Sequence, residues 1–165
     1  MNNKIALSAP TLKRLIKTLP GIDDGIIMLD LGRFRAASLV VDQLDFGQDI
    51  VELPLRFHLG GNVDSRAVRV TLKLRNWQVQ EDAIWFTIDT ANGLHEKILK
   101  IARAPLIKLL TGIIQRYCGH QVQLLQNDDQ LGIPINILLP KWENFVLPVE
   151  ITGIEVNDGL AIYFG

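Results

Sequence analysis

The sequence predicts an α+β fold: one curved, mainly antiparallel sheet packed around a long amphipathic helix, with a short helix near the N-terminus. Three observations carry this expectation. Residues 93–117 place Leu94, Ile98, Ile101, Ala102, Pro105, Leu109 and Ile113 at the three-and-four spacing of one helix face. Residues 50–59 alternate strictly, with Val51, Leu53, Leu55, Phe57 and Leu59 set against Glu52, Pro54, Arg56 and His58. That is the pattern of an antiparallel strand with one buried and one wet face. Turn-forming clusters divide the remainder into short strand-rich segments. They are Gly60-Gly61-Asn62, Glu81-Asp82, Asn127-Asp128-Asp129 and Asn157-Asp158-Gly159. A chain of 165 residues, 48% hydrophobic and 21% charged, is long and apolar enough for one folded domain spanning 1–165.

In chain order, Ser8 to Leu19 reads as a short amphipathic helix. Ser8 can cap it, Pro10 is tolerated in its first turn, and Pro20-Gly21 stops it. Leu12, Leu15, Ile16 and Leu19 form its apolar face. Ile26–Leu31 and Phe34–Val41 are rich in strand-forming types, with Gly32 as a bulge or bend. The alternating strand 50–59 follows. Pro54 has no N–H to donate, which predicts an edge strand or a bulge there. Val68, Val70, Leu72 and Leu74 then alternate with Arg69, Thr71, Lys73 and Arg75. The parity flips at Trp77 and Val79, which predicts a bulge near Asn76. Glu81-Asp82 turns the chain, and Ile84, Phe86 and Ile88 return on the next strand.

In the long helix, Leu99, Leu106, Leu110 and Tyr117 form a second apolar row. The two rows cover more of the circumference than the stripe of an ordinary surface helix. Lys97, Lys100, Lys108, Thr111 and Gln115 form the polar strip, with Ile107 and Ile114 at its edge. Asn92 suits the N-cap and Gly119 the position after the helix; Pro105 predicts a kink or a second start. Beyond it, Gln121–Leu125 and Ile133–Leu139 read as strands, and Leu147–Val156 with Leu160–Phe164 as the last hairpin.

A net charge of −1 makes no global case for nucleic acid. The charge is uneven, however. Lys4, Lys13, Arg14 and Lys17 stand in residues 1–21 without an acid, while residues 22–59 are acid-rich. The simplest arrangement has these regions facing each other within one fold. Cys118 is the only cysteine, so no internal disulfide or cysteine metal cluster is available. Neither a signal-like apolar run nor a bilayer-length segment is present, and a cytoplasmic location is expected.

No enzymatic activity, cofactor or metal is expected. His58 falls on the wet face of its strand, and His95 and His120 flank the long helix without metal-site spacing. Asp23, Asp24, Asp30, Asp42, Asp45 and Asp49 lack the EF-hand pattern and read as turns and strand faces. Trp77, Trp85 and Trp142 read as packing residues rather than base-stacking platforms.

The element order, with the closing stretch Val149-Glu150-Ile151-Thr152-Gly153-Ile154-Glu155-Val156 and the hairpin Asn157-Asp158-Gly159-Leu160, resembles one known family. It is the single-unit form of the tubular lipid-binding superfamily, whose best-known members resemble bactericidal/permeability-increasing protein. The resemblance covers most of the chain as an element pattern. It implies a long helix cradled by a strongly curved sheet, and non-enzymatic lipid binding. The broad helix face points to the same function. The expected apolar or lipid-like ligand site is Leu106, Leu110, Ile113 and Ile114, facing Val51, Leu53, Leu55 and Phe57. Lys13, Arg14 and Lys17 are the expected contacts for an anionic membrane surface. The alternative is a structural or adaptor module that docks a protein partner through an exposed sheet edge or helix. The oligomeric state is not legible.

Overall fold

The computed structural model describes residues 3–30, 35–59, 67–90, 103, 107–108, 110–111, 115, 123–135 and 150–165. Those residues form a mostly β protein. The N-terminal strand β1 (Asn3–Ser8) leads directly into helix α1 (Ala9–Lys17). Then come β2 (Ile26–Asp30), β3 (Arg35–Val40), a 3-10 turn (Val41–Gln43) and β4 (Asp45–Gly47). The long strands β5 (Ile50–Leu59), β6 (Ala67–Gln80) and β7 (Ala83–Thr90) follow. Two short strands, β8 (Leu125–Asn127) and β9 (Gln130–Pro134), precede the final hairpin of β10 (Ile151–Val156) and β11 (Gly159–Phe164).

The strands make two antiparallel sheets. The large one runs β2-β3-β5-β6-β7-β9-β8, with β4 also pairing β5. The small one runs β1-β11-β10, so the start of the chain is paired with its end. Period-two alternation decides which face is buried. Leu39, Val51, Leu53, Leu55, Val70, Leu72, Leu74, Phe86 and Ile88 form the core face of the large sheet. Val156 belongs to the same cluster, and Leu160, Ile16, Ile107 and Leu110 pack against it. A second cluster of Ile84, Ile135 and Ile151 draws in Trp77, Val79, Ile154, Ile162 and Phe164. The two sheets therefore share a core at the β6–β7 end.

Three local features match the sequence pattern. Strand β5 has the bounds that its alternation implies. The β6–β7 ladder shifts register between Arg75 and Gln78, with Asn76 at φ 56°. Glu81 and Asp82 take φ 50° and 58°, the positive pair that a two-residue hairpin turn requires.

The expectation of one sheet around a long helix is overturned. The described residues form two sheets, and α1 is the one α-helix among them described without a break. Of residues 93–117, only Arg103, Ile107, Lys108, Leu110, Thr111 and Gln115 are described, and they are helical. Asn92, Pro105, Leu109 and Gly119 lie outside the described residues, as do Gly32 and Gly60-Gly61-Asn62. The reason for the error is physical. An apolar helix face shows that cover is needed but not which element supplies it. Among the described residues, Val156 and Leu160 of the small sheet, Ile16 of α1, and Ile107 and Leu110 all contribute to this core.

Other strand assignments shift. The segment expected at Gln121–Leu125 is the strand Leu125–Asn127, and the one at Ile133–Leu139 is Gln130–Pro134. Asp128, at φ 44°, makes the turn between them. Strand β1 was not visible as a strand, although Ile5 and Leu7 alternate with Lys4, Ala6 and Ser8. Pro54 is not on an edge. Strand β3 pairs β5 as far as Leu39↔Leu55, and β4 takes over at Asp45↔Glu52. The 3-10 turn carries the chain outward between the two, and Pro54 sits in that gap. On the other side it stays in register with Thr71.

Candidate functional site

Helix α1 was expected to offer its cations to a membrane. Its N-terminal Ser8 does not cap a backbone amide; its Oγ lies 3.0 Å from Thr11 Oγ1. Lys17 Nζ lies 2.6 Å from both carboxylate oxygens of Asp42, and Lys13 Nζ donates to the Asp42 carbonyl at 3.0 Å. The basic helix thus faces the acidic 3-10 turn inside one fold, as the charge distribution suggested. Arg14 stands apart from this pair and is exposed. The ion pair is itself exposed, so it orients α1 more than it stabilises it.

The expected ligand wall is core. Val51, Leu53 and Leu55 are 8%, 8% and 3% exposed and sit in the main apolar cluster. Phe57 and Leu110 are half-buried and pack against the same cluster. Leu106, Ile113 and Ile114 lie outside the described residues. The described residues of the sheet wall thus pack within the main apolar cluster.

His58 also differs from expectation. Its parity is opposite the apolar row, as the alternation requires, yet it is 6% exposed. Its Nε2 lies 3.0 Å from Ser38 Oγ across the β3–β5 ladder. This is a nucleophile–base distance, but Nδ1 has no partner to orient the ring. Both side chains are also buried, which makes this a buried polar pair rather than a reactive one. His95, Cys118 and His120 lie outside the described residues.

Trp77 and Trp85 are packing residues. Trp77 stacks on Phe86 with ring centroids 4.7 Å apart and donates through Nε1 to the Leu74 carbonyl at 3.0 Å. Trp85 lies over Gly132 and donates to the Gln80 carbonyl at 3.2 Å. Trp142 is outside the described residues. Asp24 and Asp49 take positive φ, Asp30 and Asp45 lie in strands, and Asp49 accepts from the Trp77 amide at 3.3 Å. Among the described residues no three His, Cys, Asp or Glu side chains converge on a metal position. No helix of those residues is long and apolar enough to cross a membrane.

The most open feature is the small sheet. Among the described residues β1 pairs only with β11, from Asn3↔Phe164 to Ser8↔Gly159. Asn3, Lys4, Ile5, Ala6 and Ser8 are exposed, Ile5 by 56%. Ile5 and Leu7 share the face of Ile162 and Leu160, while Lys4, Ala6 and Ser8 share that of Tyr163 and Ala161. Beside this edge an open groove of about 470 Å³ is lined by residues of both faces, among them Lys4, Ala6, Leu7, Glu155, Leu160 and Ala161.

No family model, curated protein or solved structure matches the chain. The functional reading rests on geometry alone.

Tyr163 donates at 2.5 Å to Oε2 of Glu155, one of the residues that line the groove. The lysine ammonium of Lys4 lies 5.6 Å from the centroid of the Tyr163 ring. The hydrogen bond to Glu155, with lesser contributions from desolvation and the nearby negative charge, raises the Tyr163 pKa above the ordinary tyrosine value. The carboxylate accepts from the neutral phenol and repels the phenolate, so both of its effects favour the neutral form. Tyr117 is the one other tyrosine. In a Tyr117→Phe background, alkaline difference absorbance should show a late phenol titration. Glu155→Ala should move its midpoint down toward that of free tyrosine. An unchanged midpoint would remove Glu155 as the cause.

Proposed function

We propose that the protein is a docking module that receives an extended segment of a partner protein along the free edge of β1. The observation that carries this reading is a six-residue strand, exposed along most of its length and paired on one side among the described residues. Such an edge presents a row of backbone donors and acceptors ready for another strand. Natural sheets blunt idle edges with charge, proline or cover. Lys4 is the one charge on β1, and it lies over Tyr163 on one face of the strand rather than blocking the other.

The two faces of β1 set the chemistry of the partner. On one side it must cover Ile5 and Leu7 with apolar residues. On the other it passes Lys4 and Ser8, where an acidic residue opposite Lys4 is favoured. The preferred segment therefore alternates apolar with polar residues and carries an acid. A second copy of the chain fits less well. In the antiparallel register centred on Ala6, Lys4 would meet Ser8 of the other copy, not an acid. The apolar-ligand reading has less support, because its described sheet wall is taken up by the core.

A photoreactive amino acid at position 5 tests the proposal in cells. It should trap a distinct protein, and the same probe on the exposed surface of β8 should not. Ile5→Lys should abolish capture at a neighbouring probe on β1 while leaving the melting temperature within a few degrees. Crosslinks only between copies would replace the partner with self-association. Bound lipid at one molecule per chain in native mass spectrometry, with no protein adduct, would return the apolar-ligand reading in its place.

A further inference from the structure

We infer that Arg56 and Arg69 form an anion site, on the outer face of the large sheet, for a phosphate group. The two arginines are directly opposite in the β5–β6 ladder. Directly opposite residues hold their Cβ atoms about 4.5–5.5 Å apart, and like charges there are destabilising. Both side chains are exposed. Among the described residues neither meets a carboxylate. The one polar contact of the pair among those residues is Arg69 Nη2 to the Gln43 amide oxygen at 3.4 Å, a neutral acceptor that leaves both charges standing.

The same face shows how this sheet otherwise manages its cations. Two rows along, Lys73 Nζ lies 3.2 Å from Glu52 Oε1 directly across the ladder. Next to it, Arg75 Nη2 lies 3.6 Å from Asp89 Oδ2. Each of those cations has an acid on a neighbouring strand. In the Arg56–Arg69 row the third neighbour is Ser38, opposite Arg56 on β3, and it too is uncharged. The row thus holds two positive charges, with no internal anion among the described residues.

Two adjacent guanidinium forks suit a phosphate better than a carboxylate. One fork satisfies the two oxygens of a carboxylate; a second fork is matched by the further oxygens and second charge of a phosphate monoester. Bridging the pair also converts their mutual repulsion into attraction. Phosphate free in solution and phosphate carried on a lipid headgroup present the same chemistry to the arginines. This inference is independent of the β1 edge, which lies on the other sheet.

Inorganic phosphate is the probe. Its titration, followed by NMR of the arginine Nε–Hε groups at constant ionic strength, should shift Arg56 and Arg69 together and leave Arg75 in place. Arg56→Gln and Arg69→Gln should each weaken binding by about tenfold or more, the worth of one charge-assisted contact. Arg69→Lys should recover only part of it, since lysine keeps the charge and loses the fork. Lys73→Gln removes the same formal charge and should leave binding unchanged. Phosphate should also raise the melting temperature of the parent protein but not of the Arg56→Gln/Arg69→Gln double variant. Flotation with phosphatidylcholine vesicles, with and without phosphatidic acid, separates a lipid headgroup from free phosphate. Equal losses from Lys73→Gln and Arg56→Gln would reduce the effect to bulk charge and overturn the site. So would chloride at equal ionic strength reproducing the phosphate shifts.

Discussion

Phe86→Ala is expected to destabilise the protein by about 3–5 kcal/mol, the range for removing a buried phenylalanine. Phe86 is 1% exposed and is among the largest fully buried side chains among the described residues. Its ring stacks on Trp77 at 4.7 Å with an interplanar angle of 26°. Trp77 is held there by the bulge at Asn76 and bridges both apolar clusters. Truncation therefore leaves a cavity under a rigid indole, at a place where two sheets meet and relaxation is limited. Phe86→Leu keeps most of the volume and should cost less than half as much. Urea melts followed by tryptophan fluorescence would measure both. A loss below about 1 kcal/mol for the alanine variant would mean that the junction is not close-packed.

Gly159→Ala should be nearly as damaging for a different reason. Gly159 has φ 155°, and a Cβ there would run into the Leu7 carbonyl oxygen and lie 2.9 Å from Ser8 Cα. These are backbone atoms, which cannot swing aside as a side chain would. The turn is pinned to the β1–α1 junction by the Ala9 amide, which donates to the Asp158 carbonyl at 2.9 Å. Strain and overpacking together suggest a loss of about 2–4 kcal/mol. The damage should be local. Amide exchange should rise first in Asn3–Ser8 and stay slow in β6, and capture at the β1 edge should fall with it. Uniform exchange across both sheets, or no loss of stability, would show that the turn does not hold β1.

The legible parts of this fold are those set by neighbours in the chain. The alternation from Val51 to Phe57 and from Val68 to Leu74 marks the buried row on each strand. The parity change at Trp77 marks the bulge, because an extra residue must flip the side chains beyond it. Glu81-Asp82 and Asn157-Asp158-Gly159 mark turns through the residues that surround them. Even the His58 parity is right. What parity does not reveal is whether a face opposite the core is wet, and at Ser38 and His58 it is not.

The candidate sites were less legible. The edge strand β1 shows a weak alternation from Lys4 to Ser8, overshadowed by the stronger helix signal that begins at Ser8. Its partner β11 stands at the other end of the chain, so no local pattern could announce the pairing. Arg56 and Arg69 each look like ordinary outward positions on amphipathic strands. Only the register makes them opposite, and only the carboxylates beside Lys73 and Arg75 make the lack of one among the described residues informative.

The sequence by itself determined the side-chain period, the turns and the bulge, because these depend on the conformation of a few consecutive residues. Tertiary structure decided that the strands divide into two sheets and that Pro54 falls in a gap between partners. It also decided that Val51, Leu53 and Leu55 meet core neighbours. Several apolar faces compete for the same burial, and the outcome depends on contacts between residues far apart in the chain.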